Sequence, residues 1–207
     1  TVPVSMDDMV YHAANVARAG QNAYRIVDLP SRSYDTPAQA LTNARRLVDE
    51  GGADMVTLEG GAGKAAIVDN LVRHGIPFCG HIGLLPQSVE DLGGYKVQGR
   101  DEAAARQLLD DALSLQQAGA QLLVVECVPA ALGRELSASL DIPVIGIGAG
   151  ADCDGQVLVM HDMLGLIDRP PKFVANFMQQ SDSIQGAFES YVLSVRDGRF
   201  PAKEHEY

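Results

Sequence analysis

QLLVVECVP (residues 121–129) is the stretch that decides the fold. Its apolar run ends on Glu126, and Cys127, Val128 and Pro129 then break it. A short, β-branched run of this kind reads as a strand buried on both faces. The same plan recurs upstream. AYRIVD (23–28) stops at Asp28 before LP, MVTLE (55–59) stops at Glu59 before GG, and IPFCGH (76–81) stops at His81. Helical stretches separate these runs, so the strands should lie parallel with converging carboxyl ends. Polar groups gathered on such a rim are the usual layout of an α/β-barrel active site.

Outward from these runs the chain alternates regularly. Ser5 caps a predicted helix over 6–19, with Asp7 and Asp8 in its first turn. A strand over 23–28 leads to a helix over 37–50, with Pro37 at the first helical position. A strand over 55–59, a helix over 62–74 and a strand over 77–81 follow. The connection 82–100, which contains GGYKVQGR, is long enough to expect a function for it. Next come a helix over 101–118, a strand over 122–126, a helix over 129–140 and a strand over 143–147. A strand over 157–160 runs to His161 and Asp162, and helices over 172–179 and 184–196 close the chain. An open doubly wound sheet also accommodates six strands. Side chains converging from several strands favour a barrel, whose common form has eight. Residues 1–207 therefore read as one α/β-barrel domain, incomplete at its N-terminal side. The opening on Thr1 rather than Met agrees with that expectation.

Composition narrows the function. The 207 residues are 46% hydrophobic, enough for a sizeable core. A net charge of -11 argues against a nucleic-acid partner. No apolar run near the length of a membrane span and no basic amphipathic helix point to a membrane. Three unclustered cysteines and no secretory signal fit a reducing cytoplasm.

Asp28 and Glu59 are hard oxygen donors on neighbouring strand ends, suited to Mg²⁺ with open positions for water and substrate oxygens. A 2-oxo acid can chelate such an ion, which then acts as a Lewis acid toward an enolate. Glu126, two strands further on, is placed to act as general base. His81, between them, can hydrogen-bond a substrate oxygen. Together these groups describe proton abstraction beside a carbonyl followed by carbon–carbon bond formation. A single acid after an apolar run is ordinarily a turn or cap residue. Four such positions on successive strands favour a site. Cys79 and Cys127 read as buried small hydrophobes. GGAGK (60–64) lacks the spacing and the hydroxyl residue of a phosphate loop. GIGAG (146–150) reads as tight packing, and His161-Asp162 as a helix cap pair.

At these residues the chain resembles the ketopantoate hydroxymethyltransferase family. The resemblance rests on VDLP (27–30), LEGG (58–61), CGHIGL (79–84), PQS (86–88) with GGYKVQGR (93–100), ECVP (126–129), IPVIGIGAG (142–150) and DGQVLVMHDMLG (154–165). It implies a (β/α)8 TIM barrel of the phosphoenolpyruvate/pyruvate superfamily, with the first two β-α units lying outside these residues. It implies transfer of a hydroxymethyl group from 5,10-methylenetetrahydrofolate to 3-methyl-2-oxobutanoate, giving 2-dehydropantoate for pantothenate biosynthesis. By the same resemblance Asp28 is a Mg²⁺ ligand that also contacts the keto acid, and Glu59 is a second metal-site acid. Glu126 is the proton acceptor at C3 and His81 a substrate-pocket histidine. A homo-oligomeric decamer is implied as well.

Thr57 stands where that family usually has a substrate-binding Lys. Loss of a charge-assisted hydrogen bond there costs about 1.5–3 kcal/mol, and Arg32 or Lys64 could restore the charge from another direction. Ser31-Arg32, Gly63-Lys64 and Leu85 also depart from the family pattern, around the expected pocket mouth. Two competing readings follow. A superfamily carbon–carbon lyase or phosphonate-type mutase predicts a reactive cysteine in a loop after a strand. A weakened paralogue serving as a binding or assembly subunit predicts no turnover.

Overall fold

In a computed structural model, residues 3–20, 22–90 and 93–207 are described. Thr1, Val2 and two residues of the long 82–100 connection, Asp91 and Leu92, lie outside them, as does Gln21. Helix α1 spans Met6–Ala19 and strand β1 spans Ile26–Asp28. They are followed by α2 (Pro37–Asp49), β2 (Met55–Glu59), α3 (Ala65–Arg73) and β3 (Phe78–Gly83). Then come α4 (Glu102–Gln117), β4 (Leu122–Glu126), α5 (Ala130–Ser139) and β5 (Val144–Ile147). The short β6 (Gly155–Gln156), α6 (Met160–Met163) and α7 (Ile184–Arg196) complete the described elements. The six strands pair in sequence order, all parallel, so each crossover steps to the next position. Six strands, not eight, are present among the described residues, with β1 and β6 at the edges.

Local chemistry accounts for the helix starts. Ser5 and Asp8 form a reciprocal capping box at α1. Thr36 and Asp101 accept backbone N–H groups at the entries to α2 and α4. The sheet has two unlike faces. Val56, Leu58, Phe78, Ile82, Leu123, Val125 and Val144 pack outward against the helices in one continuous core. Full burial of each such side chain stabilises the fold by about 1.5–3 kcal/mol. The alternate residues, Asp28, Thr57, Glu59, Cys79, His81, Val124 and Glu126, occupy the other face. Register places them in rows: Asp28 beside Thr57, Thr57 beside Cys79, Glu59 beside His81, and Gly83 beside Glu126.

Four expectations need correction. Strand β1 begins at Ile26, not at 23, because Arg25 is drawn aside. Its guanidinium binds Asp54 at 3.0 Å and donates to the Gly52 carbonyl at 2.7 Å. Strand β3 runs to Gly83, so His81 lies within it rather than at its end. The predicted 157–160 strand is instead β6 at Gly155–Gln156, and Val157 and Val159 are exposed. Asp162 therefore sits inside α6 and is not a cap. Only a 3-10 turn, Phe177–Gln180, forms where a helix over 172–179 was expected; Asn176 caps it by accepting from the Met178 N–H.

The glycine motifs pack. A side chain at Gly148 would strike the Phe173 ring, and one at Gly150 would strike Ala130. In GGAGK the Ala62 N–H is already taken by the Asp111 carboxylate at 2.8 Å, so an anion would meet a negative charge there.

Candidate active site

Four successive strands deliver the four expected ionisable groups to one region. Asp28, Glu59 and His81 border a pocket of about 210 Å³ together with Pro30, Pro86 and Gln87. From the next strand, Glu126 reaches His81, whose Nε2 lies 3.1 Å from Glu126 Oε2. Among the described residues Glu126 Oε1 has no hydrogen-bond partner. Thr57 is buried on the same face, and its Oγ1 has no partner either.

Charge at this site is unbalanced. Burial pushes the Glu59 carboxyl up to about 7, and the Glu126 and Asp28 carboxylates add to the rise. Asp28 is open to solvent on one side but crowded by protein, and this desolvation raises its acid too. For His81, burial opposes the charged form, yet the hydrogen bond to Glu126 and the charges of Glu126, Glu59 and Asp28 outweigh it. Its pKa is raised. Even with His81 protonated, a single positive charge faces three carboxyl groups, so a divalent cation suits the site. Asp28 and Glu59 supply hard oxygen donors, and no cluster of three His, Cys, Asp or Glu closes a cage among the described residues. Two acids with open positions fit Mg²⁺ better than a closed structural metal.

Sequence reading missed Gln87 and Tyr34. The Gln87 N–H donates to both Glu59 oxygens, at 3.1 and 3.0 Å. Its side-chain amide donates to the Leu29 carbonyl at 3.0 Å and accepts from the Tyr34 hydroxyl at 2.7 Å. Gln87 thus ties Glu59 to the segment just after Asp28. The signal was PQS at the start of the 82–100 connection, where Pro86–Ser88 forms a 3-10 turn. Lys64 stacks 5.0 Å above the Tyr34 ring, one ring away from this network, whereas Arg32 is exposed. Lys64 is therefore the better placed of the two cations weighed against Thr57.

Directly after Glu126, Cys127 has φ 50, a left-handed conformation that costs free energy for a residue with a side chain. Its N–H donates to the Ile147 carbonyl and its carbonyl accepts from Gln98, both at 2.8 Å. Burial pushes the Cys127 and Cys79 thiols up to about 12. Neither forms appreciable thiolate at neutral pH. Iodoacetamide at pH 7.5 is therefore expected to leave both unmodified in the folded protein and to label them after denaturation, as read by peptide mass spectrometry. Rapid native labelling of Cys127 would restore the reactive-cysteine reading.

A second, larger cleft of about 860 Å³ opens on the other side of Glu126 and shares Pro86 with the acid pocket. Among the described residues no helix is long and apolar enough to cross a membrane.

Comparison with known proteins bears on the fold and the family. A putative phosphonomutase from Burkholderia cenocepacia J2315 superposes with a TM-score of 0.55 at 21% identity, covering 69% of this chain and 62% of that one. A putative lyase/mutase from the same organism gives 0.51 at 17% identity, covering 96% and 69%. These likenesses speak to the parallel β/α fold alone. The 3-methyl-2-oxobutanoate hydroxymethyltransferase of Halorhodospira halophila is 53% identical over all of this chain and 75% of its own length. That of Idiomarina loihiensis is 54% identical over all of this chain and 78% of its own. The chain thus spans about three quarters of these relatives. The family model described as ketopantoate hydroxymethyltransferase matches residues 1–203. With four converging ionisable groups and relatives at this level of identity, the chain belongs to the ketopantoate hydroxymethyltransferase family.

Proposed function

We propose that this chain catalyses hydroxymethyl transfer from 5,10-methylenetetrahydrofolate to 3-methyl-2-oxobutanoate, with Mg²⁺ at Asp28 and Glu59. The observation that carries the reading is the 3.1 Å contact between His81 and Glu126 beside a pocket holding two further acids. A branched five-carbon 2-oxo acid is compatible with a pocket of about 210 Å³.

Each residue has a distinct task. Asp28 and Glu59 hold the ion, and Gln87 fixes Glu59 through its backbone N–H. When bound, the ion withdraws electron density from the 2-oxo group and so acidifies the C3 proton. His81 holds one oxygen of Glu126, leaving Oε1 to take that proton. Water adds to the one-carbon unit of the donor, whose two bonds to nitrogen break to leave it at the level of formaldehyde, and the C3 carbon then bonds to that carbon while its oxygen takes up a proton. With water supplying the hydroxyl oxygen, the products are 2-dehydropantoate and tetrahydrofolate. Thr57, with its unpartnered Oγ1, is placed to donate to a substrate oxygen in place of the usual Lys.

The wider setting belongs to the same proposal. The six-strand parallel sheet supports a (β/α)8 barrel of the phosphoenolpyruvate/pyruvate superfamily. All three cysteines are free, which supports a cytoplasmic enzyme of pantothenate biosynthesis. Ile184, Phe188 and Val192, exposed at helical spacing along α7, support contact between copies in a homo-oligomer, a decamer by family resemblance.

The test is an assay for 2-dehydropantoate with keto acid, Mg²⁺ and 5,10-methylenetetrahydrofolate, alongside NMR detection of C3 deuterium uptake from D₂O without the donor. Both activities are expected, and both should vanish with EDTA. Donor-independent exchange without product would favour a weakened paralogue. Absence of both would overturn the enzyme reading.

A further inference from the structure

Gln87 touches two acid-bearing strand ends at once. Its N–H is shared by the two Glu59 oxygens, and its side-chain amide donates to the Leu29 carbonyl, next to Asp28. Leu29 is fully buried and pinned from both sides, because its own N–H donates to the Thr57 carbonyl at 2.8 Å. Among the described residues no side chain hydrogen-bonds the Asp28 carboxylate, so the backbone beside it sets its direction. A shift of the Gln87 amide would therefore displace the two carboxylates relative to each other.

Tyr34 fixes that amide. Its hydroxyl donates to Gln87 Oε1 at 2.7 Å from a side chain only 7% exposed. With Oε1 taken by a donor and Nε2 by an acceptor, the amide has one orientation. Burial pushes the Tyr34 hydroxyl up to about 12, and the Glu59 and Asp28 charges add to the rise, so it stays a donor at working pH. The ring is itself held. Lys64 lies over it at 5.0 Å, with its stem against Gly60, and Asn43 donates to the neighbouring Ser33 carbonyl at 2.7 Å. The β1–β2 ladder is complete without Tyr34 or the Gln87 amide, so the network serves the strand ends rather than their pairing.

We propose that Tyr34 is a positioning residue: through Gln87 it holds Asp28 and Glu59 at one spacing, and so makes the site select Mg²⁺ over Ca²⁺. This rests on the Mg²⁺ assigned to those two acids under the proposed function. Mg²⁺ demands near-ideal octahedral geometry at about 2.0–2.1 Å, whereas Ca²⁺ accepts oxygens at about 2.3–2.6 Å in flexible arrangements. A braced pair of acids serves the smaller ion, and a loosened pair still serves the larger. Groups that orient metal ligands in this way commonly govern metal affinity by about 10- to 100-fold.

Calorimetric titration at pH 8 with Mg²⁺ alone and with Ca²⁺ alone reads the selectivity. Tyr34→Phe keeps the ring beneath Lys64 and removes only the hydroxyl. It should weaken Mg²⁺ by about 10-fold and Ca²⁺ by less than about threefold. Gln87→Leu keeps the backbone N–H and removes the amide; it should weaken Mg²⁺ by about 10- to 100-fold and shift the ratio of the two ions in the same sense. Added to Gln87→Leu, Tyr34→Phe should cost less than about twofold more, because Tyr34 acts only through the amide. Circular dichroism checks folding, and Gln87→Leu carries the test if Tyr34→Phe does not fold. A tyrosine that merely supports the fold would lower the melting temperature and leave the ratio of Mg²⁺ to Ca²⁺ affinity as it was. An unchanged ratio in a folded variant, or losses that add in the double variant, would overturn the inference. If Asp28→Asn abolishes Mg²⁺ binding while Tyr34→Phe leaves the ratio intact, the brace fails and the metal site stands. Mg²⁺ binding that survives Asp28→Asn, or none by the parent protein, would sink the proposed metal site and the brace with it.

Discussion

Replacing Glu126 by Gln is expected to lower C3 proton exchange by about 10²- to 10⁴-fold, the range typical of losing a positioned general base. Gln keeps the length and shape of the side chain, and its amide can still bond His81. The environment of Cys127, whose backbone is held by Ile147 and Gln98, should therefore be undisturbed. Only the proton-accepting oxygen is lost. NMR in D₂O reads the exchange, and calorimetry of Mg²⁺ with the keto acid reads binding, which should remain within about threefold because Asp28 and Glu59 are untouched. Unimpaired exchange would move the base elsewhere on the sheet. A combined loss of exchange and binding would mean that Glu126 holds the site together rather than taking the proton.

The second large effect is on stability. Glu59 has its carboxyl raised from 4.5 to about 7 by burial. A group with this shift ionises more easily in the unfolded chain, so folding loses stability as pH rises from about 4.5 through 7. At about 1.4 kcal/mol per pH unit, the loss is on the order of 3 kcal/mol from Glu59 alone. Asp28 is raised in the same sense. His81 is a base whose pKa is raised, so its contribution also fades as pH climbs through its folded value. All three trends run together: without divalent cation, the protein should melt at lower temperature at pH 8 than at pH 5. A cation that binds only the ionised folded site reverses the penalty by mass action. Millimolar Mg²⁺ should therefore raise the melting temperature strongly at pH 8 and little at pH 5. Melting curves in EDTA and in Mg²⁺ between these pH values test this. An Mg²⁺ effect independent of pH would separate the cation from these carboxylates.

The fold was readable where one physical signal dominated. MVTLE and LLVVE became β2 and β4 residue for residue, because apolar runs buried by helices have no competing partner for their backbone. The signal failed at the sheet's edges. At β1 the Arg25 side chain competes for local polar groups. At β6 the ladder stops after two residues, although Val157 and Val159 have strong strand propensity. Propensity there yields to the absence of a further strand to pair with among the described residues. The site divides in the same way. Its acids were visible because each ended a strand. The Gln87–Glu59 and His81–Glu126 bonds were not, since they join residues 28 and 45 positions apart and depend on register. Asp162 was misread as a cap because the strand expected before it stops at Gln156, which leaves Asp162 inside α6.

Gly83 lies opposite Glu126 in the ladder, at φ 92, and a methyl group there would come within 2.2 Å of the Glu126 carbonyl oxygen. Strand β4 is thus fitted against a hydrogen atom and nothing larger. For anyone diversifying this scaffold toward other keto acids, the freedom to vary lies in the pocket walls. The codon for residue 83 is best left out of the library, because even alanine there would push Glu126 off its place before selection had anything to choose from.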